Sequence, residues 1–220
     1  KSKMSVALID QIHDFLSKQP DINCNETDIE YSLKGSYCYC LQYKEVILQG
    51  ERKINLVISK NFPQEAPKLF LDNYPDGMEH VYQDGSCCLA STGEIIQFLS
   101  NNPSLSEFIK KFVDAFIFSI EWFIKYGTYP FGEREHGYKG LLDYYLTDWQ
   151  LTKEQYWDLV RIVINDNYRG HVDCLCGSKK KMRDCHGKYI LPIIKDPIFK
   201  EQFIEEAYSI FRGEKINGKR

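Results

Sequence analysis

Apolar positions along the chain follow two rhythms, separated by stretches with none. Over residues 4–17, Val6, Ile9, Ile12, His13 and Leu16 recur at helical spacing, and Pro20 closes the segment. That pattern predicts an amphipathic helix. Residues 21–30 are polar and read as a loop. From Ser36 the period shortens to two. Residues 36–43 and 53–59 read as strands, the second with Ile54, Leu56 and Ile58 on one face, and Gly50 reads as a turn. Pro63 and Pro67 bracket a bend, and residues 68–71 make a further strand. Short connections of this kind favour an antiparallel meander. Residues 72–92 lose all periodicity and carry the turn signals Pro75, Asp76-Gly77 and Asp84-Gly85. A long irregular stretch inside a folded domain is usually functional.

The helical period returns at Ser104. Ser104 and Glu107 form a capping box, and Leu105, Phe108, Ile109, Phe112, Val113, Phe116, Ile120, Phe123 and Ile124 make a wide apolar face. Gly127 and Pro130 stop it. Residues 131–140 read as a loop, 141–149 as a short helix and 152–166 as a helix capped by Thr152. A basic, cysteine-bearing section at 172–188 follows, and Pro192 and Pro197 precede a last amphipathic helix over 198–211. The expected class is α+β: an N-terminal helix, a four-stranded antiparallel meander, an irregular loop, a long helix, and a small C-terminal part between helices.

Composition sharpens this picture. With 220 residues, 43% hydrophobic and 27% charged, the chain supports a sizeable core and is not disordered. The net charge of −3 hides an asymmetry: residues 1–150 carry 14 Lys+Arg against 21 Asp+Glu, and residues 151–220 carry 14 against 10. A two-part chain is the simplest reading. The acidic first part disfavours a long phosphate-tracking surface, so nucleic acid is not the expected partner. Residues 108–124 are interrupted by Lys110, Lys111, Asp114 and Glu121, so no membrane span is expected. The apolar run at 6–9 is too short for an export signal, which points to the cytoplasm. In that reducing compartment the eight cysteines read as metal ligands, a nucleophile or core residues rather than disulfides.

The sharpest chemistry lies near the C-terminus. Cys174 and Cys176 sit one residue apart, and Cys185 and His186 follow eight residues after a turn at Gly177. Three soft sulfurs and an imidazole on one short excursion match a closed, four-ligand structural zinc site with no open position for catalysis. The segment is too polar to fold by apolar burial, so the metal must supply that stability, on the order of 10 kcal/mol. Its Gly-Ser-Lys-Lys run and final Cys-His pair closely resemble the SEC-C motif, the small zinc module at the C-terminus of the SecA translocation ATPase. Lys179, Lys180, Lys181, Arg183 and Lys188 make a basic patch around it, readable as a solvated face or a binding face.

A second constellation is Glu79-His80-Val-Tyr-Gln-Asp-Gly85-Ser86-Cys87-Cys88-Leu89. A cysteine after a glycine turn in a loop is placed where a nucleophile would be, and thiolate suits acyl transfer through a thioester. By itself this leaves Cys87 and Cys88 open, and a buried cysteine of the core is the commoner case. Element order and motifs together, over residues 4–125, resemble the ubiquitin-conjugating enzyme fold. Phe62-Pro63 through Ala66-Pro67-Lys68 resembles that family's Tyr-Pro…Pro-Pro turn, and Gly85-Ser86-Cys87-Cys88-Leu89 its Gly-x-Ile-Cys-Leu strip. The resemblance implies Cys88 as the catalytic cysteine and His80 as a loop-orienting or basic residue. The family's His-Pro-Asn triplet is here His80-Val81-Tyr82, so its asparagine is missing. The Gly132-Glu-Arg-Glu-His136-Gly137 segment is similar to one in the bacterial conjugating proteins of CBASS antiphage operons.

The resemblance implies a domain at 4–150, a helical connector at 151–171, the zinc motif at 172–190 and a helical segment at 191–212. It also implies that Cys88 accepts the C-terminus of a protein partner, a cGAS-like nucleotidyltransferase in the antiphage case, and passes it to an amine. No P-loop or Gly-rich dinucleotide motif is present, so the expectation is that this chain does not adenylate a carboxylate itself, and that either a separate activating enzyme supplies the thioester or the partner arrives by another route. Two alternatives are a non-catalytic adaptor of the same fold and a zinc-dependent nucleic-acid or ribosome binder.

Overall fold

The alternating segments assemble into one antiparallel sheet in the order β1-β2-β3-β4, with β1 at Ile22–Glu26, β2 at Glu30–Tyr43, β3 at Val46–Ser59 and β4 at Lys68–Leu71. The structure, a computed structural model, describes residues 7–73, 81–82, 84–101, 103–128, 130 and 138–217. These are not quite the strands the pattern suggested. The polar residues 21–30 supply β1, because pairing with β2 from Ile22↔Gly35 to Glu26↔Tyr31 satisfies their backbone even though Ile22 alone is buried. Gly50 lies inside β3 rather than in a turn, opposite Tyr39, whose hydroxyl sits 2.7 Å from where a Cβ would project. The hairpin turns instead at Lys44, which adopts a φ of 52°.

Helix α1 (Leu8–Lys18) forms where the period predicts it and buries Ile12 completely. His13, placed on the apolar face by spacing, is exposed, and Phe15 faces inward to stack on Tyr37 at 6.0 Å. The long helical stretch over residues 105–126 runs as α3 (Leu105–Phe108), one π turn (Ile109–Val113) and α4 (Asp114–Tyr126). Ser104 and Glu107 make the capping box reciprocally, and Gly127, at φ 68°, ends the stretch in the left-handed conformation. Its face packs Leu105, Phe108, Phe112, Val113, Ile117 and Ile120 in a core with Leu33, Ile54, Leu56, Ile58 and Leu69 of the sheet. Ile124, expected on that face, is 55% exposed.

The chain divides into two compact units, Lys1–Ala90 with Phe98–Gly132, and Ser91–Gln97 with Glu133–Arg220. Helix α2 (Thr92–Leu99) has no counterpart in the periodicity, although Ser91 and Glu94 carry the Ser-x-x-Glu start signal and the Ser91 hydroxyl accepts the Glu94 N–H. The second unit is helical: α5 (Tyr138–Thr147), α6 (Lys153–Ile164), α7 (Gly187–Lys195) and α8 (Pro197–Asn217). Pro192, expected to precede the last helix, lies inside α7. Tyr145 is wholly buried here, with the rings of Trp149, Tyr156 and Phe203 at 5.0, 5.0 and 5.7 Å. Among the described residues no helix is long and apolar enough to cross a membrane.

Candidate metal centre and cysteine strip

In the helical unit, residues 172–182 double back on themselves. Met182 N–H donates to the Val172 carbonyl and Cys174 N–H to the Lys180 carbonyl, while Gly177, at φ 76°, makes the turn. Cys174 and Cys176 thus sit on one arm of a tight loop. A short 3₁₀ turn (Met182–Asp184) then delivers Cys185, and His186 stands at the entrance of α7. Gly187 is required next: a Cβ there would lie 2.4 Å from the Met182 carbonyl oxygen.

The result gathers all four sequence-predicted ligands. Their donor atoms lie within 4.8 Å of one another and can hold a metal ion. Cys174 Sγ is 3.3 Å and Cys185 Sγ 3.4 Å from His186 Nδ1, and the Cys176 and Cys185 sulfurs are 3.5 Å apart. A tetrahedral ion with sulfur and nitrogen ligands needs edges of about 3.6–3.8 Å, so the cluster is close to the required size. The other imidazole nitrogen settles the tautomer. His186 Nε2 lies 2.6 Å from the Trp149 carbonyl, which only accepts, so Nε2 carries the proton and the Nδ1 lone pair faces the sulfurs. Burial pushes the Cys174 thiol up to about 11. At Cys176 burial acts in the same direction, but hydrogen bonds from the Ser178 hydroxyl and N–H, and from the neighbouring cysteines, bring the thiol down to about 6.

In the sheet unit, the strip before Cys88 is fastened to β4. Cys87 N–H donates to the Leu69 carbonyl at 2.7 Å, Gly85 N–H to the Tyr82 carbonyl and Tyr82 N–H to the Ser86 carbonyl, both at 2.9 Å. Gly85 adopts a φ of 83°. Ser86 and Cys87 are buried, whereas Cys88 is half-buried, its sulfur 3.7 Å from the Ala90 carbonyl. Burial, and then the neighbouring Cys88, push the Cys87 thiol up to about 12. His80 and His136 lie outside the described residues.

Sequence reasoning missed two polar contacts. Lys68 Nζ donates to Asp84 Oδ2 at 2.7 Å. Glu206, 4% exposed on α8, accepts from Thr92 N–H, the Thr92 hydroxyl and the Tyr145 hydroxyl at 2.7–2.8 Å. Neither leaves a short motif, since each joins residues far apart in the chain. The one local signal was Asp84 two residues before Ser86, a common turn-forming pair. No family model, curated protein or solved structure matches the chain, so a functional reading stands on its residues and their geometry.

Proposed function

We propose that Cys88 is the nucleophile of a protein-conjugating acyl transfer, of the kind the ubiquitin-conjugating resemblance implies, and that Cys174, Cys176, Cys185 and His186 hold a structural zinc ion. One observation carries the first half: of two adjacent cysteines, Cys87 is 5% exposed and Cys88 is left half-buried at the end of a fastened strip. A buried thiol pushed up to about 12 stays protonated near neutral pH and is a poor nucleophile. The neighbouring Cys88 is less buried, and the residue before it is held to β4 through the Cys87 N–H.

In the proposed reaction the Cys88 thiolate attacks the activated carbonyl at a protein's C-terminus, expels the leaving group and becomes a thioester. An amine then attacks that carbonyl, forming an amide and returning the thiol. Thioesters react readily with amines, so the protein's contribution is mainly to hold the carbonyl and the amine in place. His80 would orient the loop. The acyl donor of the antiphage reading is the C-terminus of a cGAS-like nucleotidyltransferase, charged by a separate activating enzyme in the cytoplasm. The zinc assignment rests on three soft cysteine sulfurs and one imidazole whose donor atoms lie within 4.8 Å of one another, four protein ligands for a closed site.

A fluorescent peptide bearing a C-terminal mercaptoethanesulfonate thioester bypasses the activating enzyme. Incubated with the chain, it is expected to give a band on a non-reducing gel that dithiothreitol removes and that Cys88→Ala lacks. An adduct that survives in Cys88→Ala assigns the chemistry to another thiol and overturns the proposal. Binding of the peptide with no adduct would mark an adaptor instead.

A further inference from the structure

Asp84 stands four residues before Cys88, where proximity alone would make it a candidate base. Its surroundings suit a different task. We infer that Lys68 and Asp84 form a clamp that positions Cys88, an inference that rests on the acyl-transfer reading above.

Both carboxylate oxygens of Asp84 are engaged. Oδ1 accepts the Ser86 N–H at 2.9 Å and the Ser86 hydroxyl at 2.5 Å, and Oδ2 accepts Lys68 Nζ at 2.7 Å. Lys68 opens β4, and the next residue, Leu69, takes the Cys87 N–H on its carbonyl. Two successive residues of one strand therefore grip the strip at 84 and at 87, immediately before the reactive position. Between the grips Ser86 is 1% exposed, and two backbone hydrogen bonds tie Tyr82 to Gly85 and to Ser86. Little freedom remains in the approach to Cys88. Burial raises the Asp84 carboxyl, but its bonds to Lys68 and Ser86 prevail and hold it at about 2. It stays ionised at every working pH and is too weak a base to take a proton from an attacking amine. The ion pair is partly exposed, with side-chain accessibilities of 26% and 43%, so it adds little to global stability. Loss of the clamp and loss of the fold are thus separable.

The test uses Asp84→Asn, Lys68→Met and the double variant with the peptide thioester. In either single variant the rate constant for adduct formation is expected to fall about tenfold, as for a slightly misplaced nucleophile. The double variant should fall no further, because both changes break one pair. The apparent KM, the melting temperature and the shape of the pH–rate profile should stay as in the wild type. A second readout does not need acyl transfer: iodoacetamide should label Cys88 and spare Cys87 in the wild type, and should reach Cys87 once the clamp is cut. Wild-type rates with an unchanged labelling pattern in the variants overturn the clamp. So does a rate loss with a flattened pH profile, which would make Asp84 a base. If the wild type forms no adduct at all, the acyl-transfer reading fails, and labelling of Cys87 alone decides whether the grip exists.

Discussion

Glu206 shows what one residue can hold together. Its carboxylate is buried, and three donors from Thr92 and Tyr145 converge on it. Each donor stranded without an acceptor costs about 1–3 kcal/mol. Glu206→Ala should therefore lower stability by on the order of 3 kcal/mol in denaturant titrations, and Glu206→Gln by less, because one oxygen still accepts. No sequence pattern announces this residue, since its partners lie 61 and 114 positions away. The candidate metal ligands were legible for the opposite reason: all four fall within residues 174–186, and the structure brings their donor atoms together. The cysteine strip is intermediate. The resemblance singles out Cys88, and of the two adjacent cysteines Cys87 is the buried one, but the ion pair from Lys68, 16 residues before Asp84, left no trace in the pattern.

Elements with their own start and stop chemistry were read well. Thr152 accepts the Gln155 N–H, and the Gln155 side chain accepts the Thr152 N–H, which opens α6 where expected. Thr152→Ala should cost about 1 kcal/mol of stability, readable as a lower thermal midpoint by circular dichroism. Elements held by their neighbours were read badly. Strand β1 has one buried side chain and exists because β2 offers it a ladder. Helix α7 carries Pro192 and would be a poor helix alone, but Ile190 and Ile193 are fully buried in the helical unit. The π turn at Ile109–Val113 follows no apolar rhythm, because the same residues satisfy an α-helical pattern equally well.

Across the whole molecule the two units draw on different sources of stability. The sheet unit has a continuous aliphatic and aromatic core. The helical unit surrounds Tyr145 with aromatic rings and carries Trp149 in its α5–α6 connection, where the Trp149 carbonyl receives the His186 N–H. Loss of a metal ion from the cluster would remove on the order of 10 kcal/mol from the loop that carries it. A strong chelator is therefore expected to raise amide hydrogen exchange over residues 172–190 and in the turn at Trp149, while strands β2 and β3 keep their protection. Equal loosening of the sheet would show that the stabilising effect of the metal is not local. The indole of Trp149 is 2% exposed and stacks on Tyr189 at 5.3 Å. That ring makes the chain its own optical indicator: as the imidazole lets go, water should reach the indole and its emission should move to the red, so that metal occupancy can be followed in a cuvette without a dye.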